Sequence, residues 1–193
     1  MKSKNLSEFL FNPFTRIAGW QAFGIGLIFI ALMGVIGTYA NIIFDGVIDM
    51  HIEHETTLTH SFILLAIDII SLVFVMFVAG LFIAGKFRFV DILGTMTLSK
   101  APFLLLAIVG FFTKMPDMSD VLKDPFIMLS SPSLVFLLLL SLPVILWSIA
   151  LMYNGFKVST GAKGTKLTIT FITAVFVAEI ISKVLIHFIL KRL

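Results

Sequence analysis

Cysteine is absent from this chain, which excludes disulfides and thiolate chemistry and leaves redox compartment unreadable. The catalytic signatures are missing as well: there is no His-Glu-x-x-His, no Gly-x-Ser-x-Gly, no phosphate-cradling glycine loop with its Lys and Ser/Thr, and no paired-aspartate motif. The N-terminal twenty residues have no uninterrupted apolar stretch followed by a small-residue cleavage site, so they do not read as a cleaved signal peptide. No internal repeat is visible, which weighs against an inverted-repeat transporter. The basic residues form no run interleaved with aromatics, so a net charge of +3 is not a nucleic-acid footprint. It suits anionic lipid headgroups, at about 1 kcal/mol per residue near a surface.

What is present is apolar. The 193 residues are 59% hydrophobic, include 21 Phe and have a mean hydropathy of +1.10. Soluble domains use roughly 45–50% apolar residues, and a water-soluble core could not hide the surplus. A hydrocarbon core needs about 20 apolar residues per helix, and five runs reach that length: Ile17–Phe44, Ser61–Gly85, Phe89–Phe112, Ser133–Phe156 and Lys166–Leu190. The expected fold class is therefore all-α, a polytopic membrane protein with five transmembrane helices in a compact bundle (spans 1 to 5, residues 17–193). It follows a short cytoplasmic segment, residues 1–16. In that segment Leu6, Phe9, Leu10 and Phe14 recur at helical spacing, the pattern of a short interfacial helix ended by Asn12-Pro13.

Orientation follows the basic loops. Lys2, Lys4 and Arg16 precede span 1, Lys86 and Arg88 join spans 2 and 3, and Lys157, Lys163 and Lys166 join spans 4 and 5. The alternate loops carry Asp45, Asp49, Glu53 and Glu55, and Asp117, Asp120 and Asp124. This predicts the N-terminus in the cytoplasm and the C-terminus outside.

Glycines crowd span 1 at positions 19, 24, 26, 34 and 37, and span 2 ends in Ala79-Gly80 and Ala84-Gly85. Small residues let helices approach closely in lipid, and the same stripe is a candidate face for homo-oligomers. Pro102 and Pro143 each remove a backbone donor. Span 3 is the least regular, and its first half, Phe89–Ser99, suits either a full span or a segment along the cytoplasmic interface. The stretch Gly155–Lys166 reads as a tight connection between two helices, with Thr165 available as a cap.

Charges inside a span cost at least about 2.5–3.5 kcal/mol and normally face a partner or a cavity. They are Asp68, Lys100, Glu179 and Lys183. Glu179, Lys183 and His187 share a stripe of span 5, and His60, Leu64 and Asp68 a stripe of span 2. By depth, Asp68 and Lys183 are expected to meet, with Glu179 near Lys100. One reading makes this cluster an assembly device that fixes which helix faces which. The other makes it an outward-facing cavity for a proton or cation. The loop holding His51 and His54, followed by His60, sets imidazoles beside carboxylates, a pattern that suits a divalent metal such as zinc but equally a solvated surface.

Three stretches add a resemblance. Asp91-Ile92-Leu93-Gly94, then Ala101-Pro102-Phe103-Leu104-Leu105, then Trp147-Ser148-Ile149-Ala150-Leu151-Met152-Tyr153-Asn154-Gly155-Phe156-Lys157 together resemble bacterial members of the Yip1 domain family, over roughly Ile17–Leu190. The eukaryotic branch carries a long cytosolic N-terminal region that is reduced here to about sixteen residues. The resemblance implies a five-span bacterial inner-membrane protein that organises membrane or binds a protein partner. It implies no enzyme activity and supplies no catalytic residues. The alternative is a small transporter or ion-binding protein using the charged cluster with His60 and His187.

Overall fold

The computed structural model describes residues 8–53, 56–113, 118–124 and 126–191. Lys2, Lys4, Leu6, His54, Glu55 and Asp117, all invoked above, lie outside them. The described elements, in chain order, are α1 (Gly19–Tyr39), β1 (Ile42–Ile43), β2 (His51–Ile52), α2 (Leu58–Ile83), α3 (Phe89–Leu98), α4 (Phe103–Phe111), α5 (Met118–Lys123), α6 (Ile127–Ser130), α7 (Pro132–Thr160) and α8 (Gly164–Leu190). Five helices are long and apolar enough to cross a membrane, with α3 and α4 acting as one. This is the architecture of a multi-pass membrane protein, and spans 1 to 5 are α1, α2, α3–α4, α7 and α8.

Local chemistry sets the ends. Span 1 stops at Tyr39 rather than Phe44, because Asn41 takes a left-handed conformation (φ 55°) that Asn tolerates and that turns the chain into β1. Span 2 starts at Leu58, where the Thr57 hydroxyl accepts the His60 amide at 3.2 Å. Span 4 runs to Thr160, a turn beyond Phe156, and ends on Gly161 at φ 67°, a glycine stop without Cβ penalty. Thr165 falls inside α8 and is not its cap.

Span 3 is the centre of the bundle. Its first half is buried at Ile92, Gly94, Thr95, Met96, Thr97 and Leu98 and packs on spans 1, 2 and 4, so it does not lie along the rim. Between Leu98 and Phe103 the backbone tightens into i→i+3 bonds, Ala101 to Leu98 (3.0 Å) and Phe103 to Lys100 (3.0 Å), which accommodates Pro102 without a donor. The Ser99 carbonyl freed there accepts the Ser148 hydroxyl of span 4 at 2.8 Å.

The glycines of span 1 are mostly spent inside the chain. A Cβ on Gly26 would meet the Leu98 nitrogen at 2.7 Å, and one on Gly34 the Phe62 ring at 3.0 Å; Gly24 faces open space. Span 5 packs chiefly along span 2.

Candidate functional site: an inward-folded loop and its charges

Between spans 1 and 2 the chain does not spread over the surface. Ile42 pairs with Ile52 and Ile43 with His51 in a two-stranded antiparallel hairpin, extended by the Glu53 amide bonding the Asn41 carbonyl at 3.0 Å. The hairpin is wedged against spans 1 and 3: Gly37 and Gly110 leave the room that Ile42 fills, and Phe44 meets Phe103 edge-on at 5.7 Å. The loop it closes, residues 44–50, folds inward, and Val47 is fully buried in the same cluster as Leu72, Met96 and Ala178.

Irregular backbone at such depth needs protein partners, and the charged residues supply them. Lys100, buried at the tightened turn of span 3, donates to the carbonyls of Gly46 (3.0 Å) and Val47 (2.7 Å) and lies over the Phe103 ring at 5.0 Å. Its position just past the end of α3 also sets a cation at a helix C-terminus, where the dipole favours it. Glu179 accepts the Ile48 amide at 3.1 Å, and the Asp49 carboxylate accepts the Met50 amide at 2.8 Å. Gly46 sits so close to Glu179 that a Cβ there would collide with its carboxylate.

Toward the rim, Lys183 joins the loop to span 5. Its ammonium reaches Asp49 at 2.7 Å, Asp45 at 3.4 Å and Glu179 at 3.9 Å. His51 Nδ1 lies 2.6 Å from Asp45, and its Nε2 4.0 Å from Asp49. Burial pushes the Asp49 carboxyl up, but hydrogen bonds from Lys183 and the Met50 amide and the Lys183 and His51 charges outweigh it, leaving Asp49 below the ordinary carboxylate range.

Asp68 is a separate pole. It is fully buried and accepts a hydrogen bond from the Ser182 hydroxyl of span 5. Its Coulombic neighbours include Lys100, Glu179 and Asp45.

Three of the four charged residues within the spans, Lys100, Glu179 and Lys183, thus gather on the loop while Asp68 stands apart, and the expected pairs do not form. Lys183 faces the loop aspartates instead of Asp68, because Ser182, about 100° around the helix, is the residue that faces span 2. Lys100 binds carbonyls instead of Glu179. The partners that sequence reasoning missed are Asp45, Gly46, Val47, Asp49 and Ser182. One signal was available: Val47, Ile48, Met50 and Ile52 make the loop too apolar for a solvated connection.

The histidines do not converge. His51 is exposed beside Asp45 and Asp49, the one metal-compatible trio among the described residues, and the Lys183 ammonium already holds both carboxylates. His60 sits on the first turn of span 2, with its Nε2 buried and unpartnered. His187 is exposed on span 5 against Phe188, with ring centroids 5.9 Å apart. His54 lies outside the described residues.

At the other end of the bundle, residues 8–11 form a helical turn followed by a 3-10 turn at Pro13–Thr15. Two side chains of span 4 hold it: Trp147 Nε1 donates to the Leu10 carbonyl and Asn154 Nδ2 to the Phe11 carbonyl, both at 2.8 Å. Phe14 is buried beneath, against Gly155. Phe9, Leu10 and Phe11 remain exposed.

No family model matches the chain, and neither a curated protein nor a solved structure registers as similar to it.

Proposed function

We propose that this chain is a non-enzymatic, five-span protein of Yip1 type in a bacterial inner membrane, N-terminus cytoplasmic and C-terminus outside, that organises the bilayer around it. The observation that carries the reading is the clamped N-terminal segment. Its exposed Phe9, Leu10 and Phe11 form an apolar wedge, and Trp147 and Asn154 satisfy the carbonyls that such a short helix leaves bare. Both donors fall within the Trp147–Lys157 stretch that carries the family resemblance. Amphipathic segments of this kind lie in the headgroup boundary and respond to curvature. Lys100, Glu179 and Lys183, by contrast, turn inward onto the loop, while Phe74, Phe82 and Phe188 face outward.

The test is reconstitution of the purified protein into giant vesicles containing anionic lipid, with membrane tubulation and fluctuation amplitude recorded as protein density rises. Wild type is expected to deform the vesicles. A Phe9→Ser/Leu10→Ser/Phe11→Ser variant with unchanged helical content is expected to deform them far less. Wild-type vesicles that behave like those holding an unrelated five-helix protein at equal density would sink the reading.

A further inference from the structure

Two buried oxygens one helical turn apart lack partners. Asp68 is 0% exposed and, although Ser182 satisfies Oδ1, its Oδ2 has no hydrogen-bond partner. Ser71, 2% exposed, has a hydroxyl with none either. Residues at i and i+3 share a helix face, so both atoms look from span 2 into the same interior. Buried carboxylates are normally paired or bound to an ion, because leaving a charged acceptor bare forfeits its full hydration. Protonation removes the charge but leaves the Oδ2 hydroxyl without an acceptor.

The surrounding charge selects what could fill the gap. The charged groups near enough to act on Asp68 through space include Lys100 from span 3, Glu179 from span 5 and Asp45 from the loop. With Asp49 and Lys183 the network holds four carboxylates, Asp45, Asp49, Asp68 and Glu179, against two ammonium groups, Lys100 and Lys183. That excess of negative charge favours a cation over a neutral water. Ligand type narrows it further. One carboxylate and the hydroxyls of Ser71 and Ser182 are hard oxygen donors, unsuited to soft metals, and too poor in carboxylates for calcium.

We propose that Asp68, Ser71 and Ser182 hold one monovalent cation of sodium size inside the bundle. The site does not depend on the membrane-organising reading. Around it the polar groups grow more buried, from exposed His51 through partly exposed Asp49 and partly buried Asp45 and Glu179 to fully buried Asp68.

The experiment is equilibrium binding of radioactive sodium to the purified protein at pH 8, with thermal unfolding in sodium, potassium and choline chloride at equal ionic strength. The expected result is saturable binding of one sodium per chain and a melting temperature raised by sodium but not by choline. Ser71→Ala, which removes only a hydroxyl, is expected to weaken binding by about tenfold or more, and Asp68→Asn to abolish it. Should Asp68→Asn fail to fold, Ser71→Ala carries the comparison. Folded wild type that binds no sodium above the choline background overturns the proposal, as does binding retained at full strength in Ser71→Ala. Stability that follows pH but not sodium overturns it in favour of a proton on Asp68.

Discussion

Asp49 illustrates how a single side chain of the network behaves. It is partly exposed, bonded to Lys183 at 2.7 Å, and its carboxyl is held below the ordinary range. A carboxyl whose folded value lies below its unfolded value of about 3.9 contributes stability that is present above that unfolded value and is lost as pH falls through the folded one. Asp49→Asn is therefore expected to be less stable than wild type near neutrality, by no more than about 1 kcal/mol because the pair meets solvent. The gap should close as pH falls from the unfolded value through the lower folded one, which melting curves across that range would show; a gap that is constant with pH would mean the ion pair is not its source. That Asp68, Lys100, Glu179 and Lys183 need partners was legible, since charge within an apolar run demands a reason. Their partners were not, because each pairing depends on where a loop residue sits in three dimensions.

At the scale of elements, span 3 decides the packing. A Cβ on Gly94 would collide with the Gly19 carbonyl and stand 3.1 Å from the Ala22 methyl, so span 1 could not keep its distance from span 3. Gly94→Ala is expected to cost about 1–3 kcal/mol, the usual range for overpacking. Gly24→Ala, with nothing near its added methyl, is expected to be neutral or stabilising by up to about 1 kcal/mol from helix propensity. Thermal unfolding of the two variants in the same detergent gives the comparison, and equal melting temperatures would refute the close approach. The existence of the spans was readable from run length and hydropathy. Which glycine served which contact was not, since Gly24 and Gly26 look alike in sequence and only the neighbouring helix distinguishes them.

Across the whole molecule, loop and bundle form one unit. Lys100 satisfies two loop carbonyls and supplies one of the two ammonium charges in the network. Lys100→Met removes both charge-assisted bonds, each worth about 1.5–3 kcal/mol, and deepens the negative excess. The expected outcome is a loop released from the interior while the five helices persist: faster hydrogen exchange at Ile48, unchanged helical content and a lowered melting temperature. Exchange at Ile48 as slow as in wild type would show that Lys100 does not hold the loop.

The sequence by itself determined the class of molecule: an all-α chain with five runs able to cross a membrane, and charges placed where hydrocarbon penalises them. These are local quantities, set by run length and by the hydration cost of each side chain. Tertiary structure alone decided that the acidic connection after span 1 enters the bundle, that Lys100 and Lys183 face it, and that Asp68 meets Ser182. The physical reason is that backbone groups brought into a dry interior must find partners, and those partners lie 50 to 140 residues away along the chain, where no local pattern can name them.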